Sequence, residues 1–474
     1  MLKKLLKITL VVSIIGAGIF FAKHKMLFGK NAYLDYKSQP VEDESKVSGI
    51  AAYIDFFNIR KANPTTGIVD INAVYNAFQQ YESHKLNKTG SGSNLKWTEM
   101  GPDNIGGRCR AILIDKDSNN VVYAGGVTGG IFKSLDGGAT WAKVTTNANI
   151  QNQNSVCICQ GADGAIYYGT GEAAFGFGIY PKGAANYGPM NYGQGIFKST
   201  DHGYTFTQLK STQWSDTAGS KNPFNGWQDV SSIAADPTNP KRIYAGNDAG
   251  LQVSNDGGTT WTSPNGLPKN FSCKDIKMTK DGQTIFIVAG TGGYPQGNHA
   301  VYRSTDGGAN FAQVGKNPVI PSGSFGMVVS IAPSNEKTVY VSVANNSNSS
   351  PGLAGVYRSD DQGNTWTSIV TGDANFVPLT QGEYANALCV DPLNSDKVYI
   401  AGLNMFSIEK NGTAYQTTQI TGGSPPYYVH VDYHNILFDH AAPYPNMYVG
   451  TDGGVFKSAD VSNPNTKAPH FFQC

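Results

Sequence analysis

The sequence predicts an all-β fold, a roughly seven-bladed β-propeller of four-stranded blades preceded by a short helical N-terminal region. Three observations carry this. An eight-residue pattern, S-x-D-x-G-x-T-W, recurs along the chain. The aspartates of its five copies stand at 136, 201, 256, 306 and 361, a spacing of 50 to 65 residues. Short apolar runs separated by an Asp-Pro turn precede the pattern, so each unit supplies several short strands. A period near 50 residues is that of propeller blades, which stack because no blade can bury both faces of its sheet alone.

Composition agrees. Of 474 residues, 56 are Gly, 25 Tyr and 22 Phe, and only 15% are charged, a balance that suits turn-rich β structure with aromatic packing faces. The 36 basic and 35 acidic residues are interspersed and leave a net charge of +1. There is no basic stripe for nucleic acid and none for an anionic membrane.

The chain opens with Met1-Leu-Lys-Lys-Leu-Leu-Lys7 and an apolar run from Ile8 to Ala22, the charged start and apolar core of an export signal. Residues 1–25 are therefore expected to be a signal peptide or, left uncleaved, an N-terminal membrane anchor. The run is shorter than the roughly 20 residues of a comfortable span. The first cysteine is Cys109, so lipidation has no acceptor thiol. Residues 26–95 are expected to form a helical arm and linker. Tyr53 to Arg60 is one helical stretch, and Ile71 to Tyr81, with Ile71, Val74, Tyr75 and Phe78 at helical spacing, is the other.

The propeller is expected over residues 96–474. Its clear boxes are Ser134 to Trp141, Ser254 to Trp261 and Ser359 to Trp366; Ser199 to Phe206 and Ser304 to Phe311 are looser copies. Ser407 to Thr413 is degenerate, and Ser458-Ala-Asp460 begins a box without finishing it. The upstream signature is clearest in Ile233 to Gly246 and Leu388 to Gly402, two strands around Asp236-Pro237 and Asp391-Pro392. The box is a folding device: Asp accepts bonds from turn amides, Gly takes backbone angles closed to other residues, and the aromatic packs between sheets. Calcium would want more oxygen ligands than the box offers.

Seven box positions give seven blades, but the last unit offers no obvious outer strand before Cys474. Lys96-Trp97-Thr98-Glu99-Met100-Gly101-Pro102 resembles the stretch that leaves other boxes, such as Thr260 to Pro264, and is expected to complete the final blade. Cys109, Cys157, Cys159, Cys273 and Cys389 share one place in the repeat, where they read as small buried hydrophobes. Cys157-x-Cys159 lacks the partners of a zinc site, and a disulfide from Cys109 to that pair is left open.

The boxes, the D-P-x-N-P turns and the period resemble the Asp-box (BNR-type) propeller superfamily, which includes sortilin-type receptors, bacterial sialidases and two-propeller xyloglucanases. The resemblance covers about residues 97–460. The opening W-T-E-M-G-P-D-N-I-G-G-R-C-R looks like the start of exported Bacteroidetes proteins with glycosyl hydrolase-like repeats. Fold does not fix function, so the implied activities are taken residue by residue. A sialidase needs three arginines around a carboxylate, plus a Tyr/Glu pair and an acid. The propeller has Arg108, Arg110, Arg242, Arg303 and Arg358. Arg303 and Arg358 sit just before boxes and Arg242 opens a second strand, so that clamp is disfavoured. Xyloglucanase-like enzymes imply a catalytic acid in D-x-G-G before the third strand of a blade. Asp452-Gly-Gly454 fits, Asp248 in Asn247-Asp-Ala-Gly250 fits more weakly, and Val127-Thr-Gly-Gly130 has no acid there. Glu172 holds a similar place in the second blade. Two such carboxylates about 5 to 10 Å apart suffice to hydrolyse a glycoside.

Loops between second and third strands share the face opposite the boxes, where a ligand would sit. The loop from Glu172 to Gly195 carries Phe175, Phe177, Tyr180, Tyr187 and Tyr192, aromatic faces for sugar rings or apolar side chains. Gly290 to Asn298 and Asn345 to Gly355 add Gly- and Asn-rich loops. In His430-Val-Asp432-Tyr-His434, strand alternation would put both histidines and the aspartate on one side. Aligning Ile436 with Ile233 and Ile112 brings these residues to the mouth of the central channel with Asp229, Arg108 and Arg110. Such a polar ring would bind a metal through His430, Asp432 and His434, or plug the channel with hydrogen bonds. The expectation is an exported propeller that binds a glycan or an extracellular protein without a cofactor and without catalysis. The alternative is a glycoside hydrolase using Glu172, Asp248 and Asp452; a third is a structural role in the envelope.

Overall fold

The computed structural model describes residues 80, 106–144, 154–172, 193–213, 226–269, 271–291, 298–316, 319–321, 326–347, 350–371, 382, 384–422, 428–459, 461 and 470–474. Residues 1–25, expected as an export signal or anchor, and residues 26–95, expected as a helical arm and linker, fall outside them, apart from a helical Gln80. Seven antiparallel sheets follow one another along the chain, each ordered as its strands occur in sequence. Their innermost strands are Cys109–Asp115, Ser155–Gln160, Val230–Ala235, Ser272–Met278, Gly326–Ile331, Ala387–Val390 and Tyr433–Phe438. Each packs on the next, and the seventh on the first. This is a seven-bladed propeller. Six sheets have four strands; in blade 3 the outermost partner shrinks to a single bridge, Val253 with Thr262.

Second strands such as Ile166–Thr170, Ile243–Asn247 and Met447–Thr451 are buried at every residue, because each lies between two neighbouring sheets. One tie recurs between blades. In blades 1 and 7 the second-strand tyrosine and the lysine before the box serine both reach the box of the following blade, and in blades 3 and 4 one of the two does. Tyr123 OH and Lys133 Nζ donate to His202 O at 2.7 and 2.8 Å, and Tyr244 OH donates to Gly307 O at 2.8 Å. Blade 4 has Phe286 in the tyrosine position, and there Arg303 alone reaches Gln362 O. At the seam, Tyr448 OH and Lys457 Nζ donate to Gly137 O at 3.0 and 3.2 Å. Blade 7 thus grips blade 1 as blade 1 grips blade 2. Tyr448→Phe and Tyr123→Phe are each expected to cost about 1 kcal/mol in urea unfolding; a much larger loss for Tyr448→Phe would mark the seam as the weak joint.

The stretch from Lys96 to Pro102, expected to complete the last blade, lies outside the described residues. The outer strand of that blade is Phe472–Gln473, paired to Phe456 and Lys457, and Cys474 N donates to Val455 O at 2.9 Å. The strand is only two residues long and carries no alternation, which hid it in the sequence. The degenerate box is a true strand, Met405–Asn411, turned by Gly412 and Thr413 into Ala414–Gln419. The fifth blade's expected loop is a hairpin extension, since Val339–Ser347 pairs with Ser350–Ser359 to its tip. All six cysteines are free thiols; burial pushes Cys109, Cys157 and Cys389 up to about 12, which leaves them inert at neutral pH.

In five blades the box repeats one bond set. Ser134 Oγ donates to Asp136 Oδ1 at 2.7 Å and accepts from Gly138 N at 2.8 Å, while Thr140 donates its amide and hydroxyl to Asp136 at 2.8 and 2.6 Å. The same set holds Asp201, Asp256 and Asp361, and at Asp306 the Asn310 side-chain amide takes the place of the Thr hydroxyl. These bonds favour the charged form and bring Asp136, Asp256 and Asp306 down to about 2; they also outweigh burial at Asp201, again to about 2. A carboxyl whose folded pKa lies below its unfolded value near 4 stabilises the fold above that value and stops doing so as pH falls through the folded pKa. Thermal melts are therefore expected to change little above pH 5 and to drop steeply between about pH 4 and pH 2.

Candidate functional site

The face opposite the boxes is built where innermost strands begin and second strands end. There the pairing of those two strands slips by one residue in five blades. Cys109 pairs with Gly126 and Ala111 with Gly125, so Arg110 is an extra residue. The same slip singles out Val156, Ser231, Lys274 and His434. A β-bulge of this kind re-aims one side chain without lengthening the strand. All five residues line a cavity of about 280 Å³ in the central channel. Each stands two positions before an isoleucine, at 112, 158, 233, 276 and 436.

On one wall, residues of four blades converge on Arg108. Its Nη2 donates to Asp452 Oδ2 at 3.0 Å, its Nε lies 2.8 Å from Oδ1, and its Nη1 donates to Tyr384 OH at 2.5 Å. Tyr384 donates in turn to Glu172 Oε1, whose side chain is fully buried and lies 3.6 Å from both Arg108 and Arg110. The Tyr384 ring carries the Arg108 guanidinium at 5.1 Å, the Arg110 guanidinium at 4.8 Å and the edge of His434 at 5.0 Å. His434 Nε2 lies 2.7 Å from Asp452 Oδ1.

These contacts separate the protonation states. Burial opposes ionisation of Asp452, but the bond to His434 and the charge of Arg108 outweigh it and hold the carboxyl below its usual range. Asp432 moves the other way: burial, then the charge of Asp452, raise it. Burial also lowers His434 and so favours its neutral ring. Asp432 Oδ1 and His434 Nδ1 are buried without hydrogen-bond partners.

A second cluster sits on blades 3 and 4. Lys274 Nζ donates to Asp248 Oδ1 at 3.0 Å and to Ser231 Oγ at 3.2 Å, and lies 3.5 Å from Asp229. Burial, only partly offset by Lys274, pushes Asp248 up to about 7, and the nearby Asp229 adds to the rise. Asp248 is therefore not brought to Glu172 and Asp452, although all three follow second strands: blade 3 meets blade 4 instead.

The expected alignment of His430, Asp432 and His434 on one side does not hold. The strand begins only at Tyr433, Asp432 takes a left-handed backbone (φ 65), and His434 is the bulged residue. His430 Nδ1 bonds locally to Val431 O at 2.9 Å. Among the described residues no group of three His, Cys, Asp or Glu side chains is placed to hold a metal ion. Arg303 and Arg358 stay at the box face, bonded to Asn364 and to Asp360 and Asp396. The aromatic residues Phe175, Phe177, Tyr180, Tyr187 and Tyr192 lie outside the described residues. Sequence reasoning missed Tyr384 and Lys274. Aligning Ile276 with the other four isoleucines would have exposed Lys274; Tyr384 precedes its strand and carries no repeat signal.

No family model matches the chain. A probable oligoxyloglucan-reducing end-specific xyloglucanase of Neosartorya fischeri is 25% identical over 261 residues, 53% of this chain and 28% of that protein. A xyloglucanase of a Paenibacillus species is 28% identical over 205 residues, 41% of this chain and 18% of that protein. The chain thus spans less than a third of either relative. Among solved structures, an ancestral GH74 enzyme superposes with a TM-score of 0.55 at 16% identity, covering 80% of this chain and 48% of that one. A GH74 enzyme of Niastella koreensis gives 0.52 at 21% identity, covering 78% and 54%. The extracellular domain of a hybrid two component system of B. thetaiotaomicron gives 0.50 at 16% identity, covering 77% and 39%. The likeness is one of fold.

Proposed function

We propose that the channel-mouth face of this propeller hydrolyses glycosidic bonds in a polysaccharide, and that the protein is an exported member of the Asp-box propellers. The observation that carries the activity is the meeting of Asp452, His434 and Asp432 at the channel mouth, where His434 Nε2 lies 2.7 Å from Asp452 Oδ1 and Asp452 N donates to Asp432 O at 3.2 Å, with the Asp452 carboxyl lowered and the Asp432 carboxyl raised. Carboxyls pushed apart in this way supply the base and the acid that glycoside hydrolysis needs. Asp452 takes the base or nucleophile role, Asp432 the proton donor. Glu172, wholly enclosed, anchors Tyr384 and the two arginines rather than touching substrate. The conserved bond set of the boxes supports the superfamily placement. That both curated relatives are xyloglucanases favours hydrolysis over the non-catalytic binding expected from composition and loops, and makes a xyloglucan-like glycan the first substrate to try.

One observation favours binding alone: Arg108 and His434 already occupy Asp452, so a substrate must displace or share Arg108 before that carboxylate can act. The full chain incubated with a panel of plant and microbial polysaccharides, scored for retention and for new reducing ends, separates the readings. Release supports hydrolysis. Retention without release returns the binder, and the absence of both directs the search to a protein partner.

A further inference from the structure

The bulged residues are the channel's own reading heads, and their donors are unevenly spent. Lys274 is engaged by Asp248, Ser231 and Asp229. Ser231 Oγ donates to Asp229 at 3.1 Å, His434 Nε2 is held by Asp452, and Val156 has none to give. Arg110 differs. Its guanidinium lies on the face of Tyr384 at 4.8 Å, and its one ion pair among the described residues, to Glu172, is 3.6 Å long, beyond hydrogen-bond reach. Glu172 spends that oxygen on the Tyr384 hydroxyl, while Asp452 is taken by Arg108. The Arg110 side chain keeps 26% of its surface exposed and lines the cavity.

A planar fork fixed on an aromatic ring, its N–H groups hydrogen-bonded to none of the described residues, loses little entropy when it binds. Its geometry matches two oxygens of an anion, and a half-buried cation gains more from an opposite charge than from a neutral hydroxyl. We propose that Arg110 is the recognition residue for an anionic substituent, carboxylate or sulfate, on the glycan that enters the channel mouth. The substrate class is then an acidic polysaccharide. This rests on the face being glycan-directed, but not on its being hydrolytic.

The test measures retention of the full chain on three immobilised polymers: polygalacturonate, the same polymer with its carboxyls reduced to alcohols, and a sulfated galactan. Wild type is expected to hold polygalacturonate or the sulfated galactan about tenfold more tightly than the reduced polymer, and Arg110→Gln to erase the difference. Whichever anionic polymer shows the Arg110-dependent gain identifies the substituent. Equal retention of all three by wild type, or a preference that survives in Arg110→Gln, overturns the proposal. Should Arg110→Gln fail to fold, Arg110→Lys, which keeps the charge but loses the fork, must still lower the ratio. Hydrolysis of a neutral glucan with no acidic preference would sink this inference and leave the proposed activity standing; Arg110-dependent retention without hydrolysis would do the reverse.

Discussion

Asp452→Asn is expected to lower release of reducing ends about 10³-fold while the protein stays folded and still retains polysaccharide. Asparagine keeps an oxygen for the His434 proton but removes the charge that Arg108 balances, so the change acts on protonation rather than shape. A variant keeping more than about a tenth of wild-type activity would remove Asp452 from the chemistry, since a displaced general base or nucleophile costs at least a hundredfold. The pH profile is a second readout. Work that needs Asp452 ionised rises as pH climbs through its lowered pKa, and work that needs Asp432 protonated falls as pH passes its raised one. The expected curve is a bell, and Asp432→Asn should remove its alkaline limb together with most of the rate.

Gly450→Ala is expected to destabilise the ring by about 3 kcal/mol. A Cβ at that position would stand 2.7 Å from the Cys109 carbonyl oxygen and 3.2 Å from Ile112 Cδ1, across the seam between blades 7 and 1. Backbone atoms of an innermost strand cannot step aside as a flexible side chain can. The same approach recurs within the ring, where a Cβ on Gly246 would meet Cys273 O at 2.6 Å. Glycine near the end of a second strand is what lets the next innermost strand close in. Gly107→Ala, whose Cβ meets nothing within 4 Å, is the matched control. Equal unfolding midpoints for the two variants would mean that the seam relaxes freely and that ring closure contributes little.

The fold was legible because it rests on short-range patterns. The boxes at 136, 201, 256, 306 and 361 mark turns whose bonds all fall within five residues, so sequence alone displays them. The second-strand tyrosines and the basic residues before the boxes were visible as recurring letters, though their joint grip on the following box was not. The site was legible in part. That Arg108, Arg110, Glu172, His434 and Asp452 belong to one end of the channel followed from their places in the repeat. That Asp248 belongs with Lys274 did not.

What the sequence determined by itself is the blade: its strands, its turns, and the positions that face the mouth, each set by local periodicity and turn chemistry. What only the tertiary structure decided is which of those positions meet. Arg108 and Asp452 are 344 residues apart and Tyr384 and Glu172 are 212 apart, yet they touch because closing the ring brings the first and last blades together and lets Tyr384 reach across the mouth. The bulge decided the rest. One extra residue shifts a side chain from the face that alternation assigns it to the channel, and because an irregular pairing belongs to two strands at once, a single strand's sequence does not show it and only the isoleucine shared by five innermost strands marks the place.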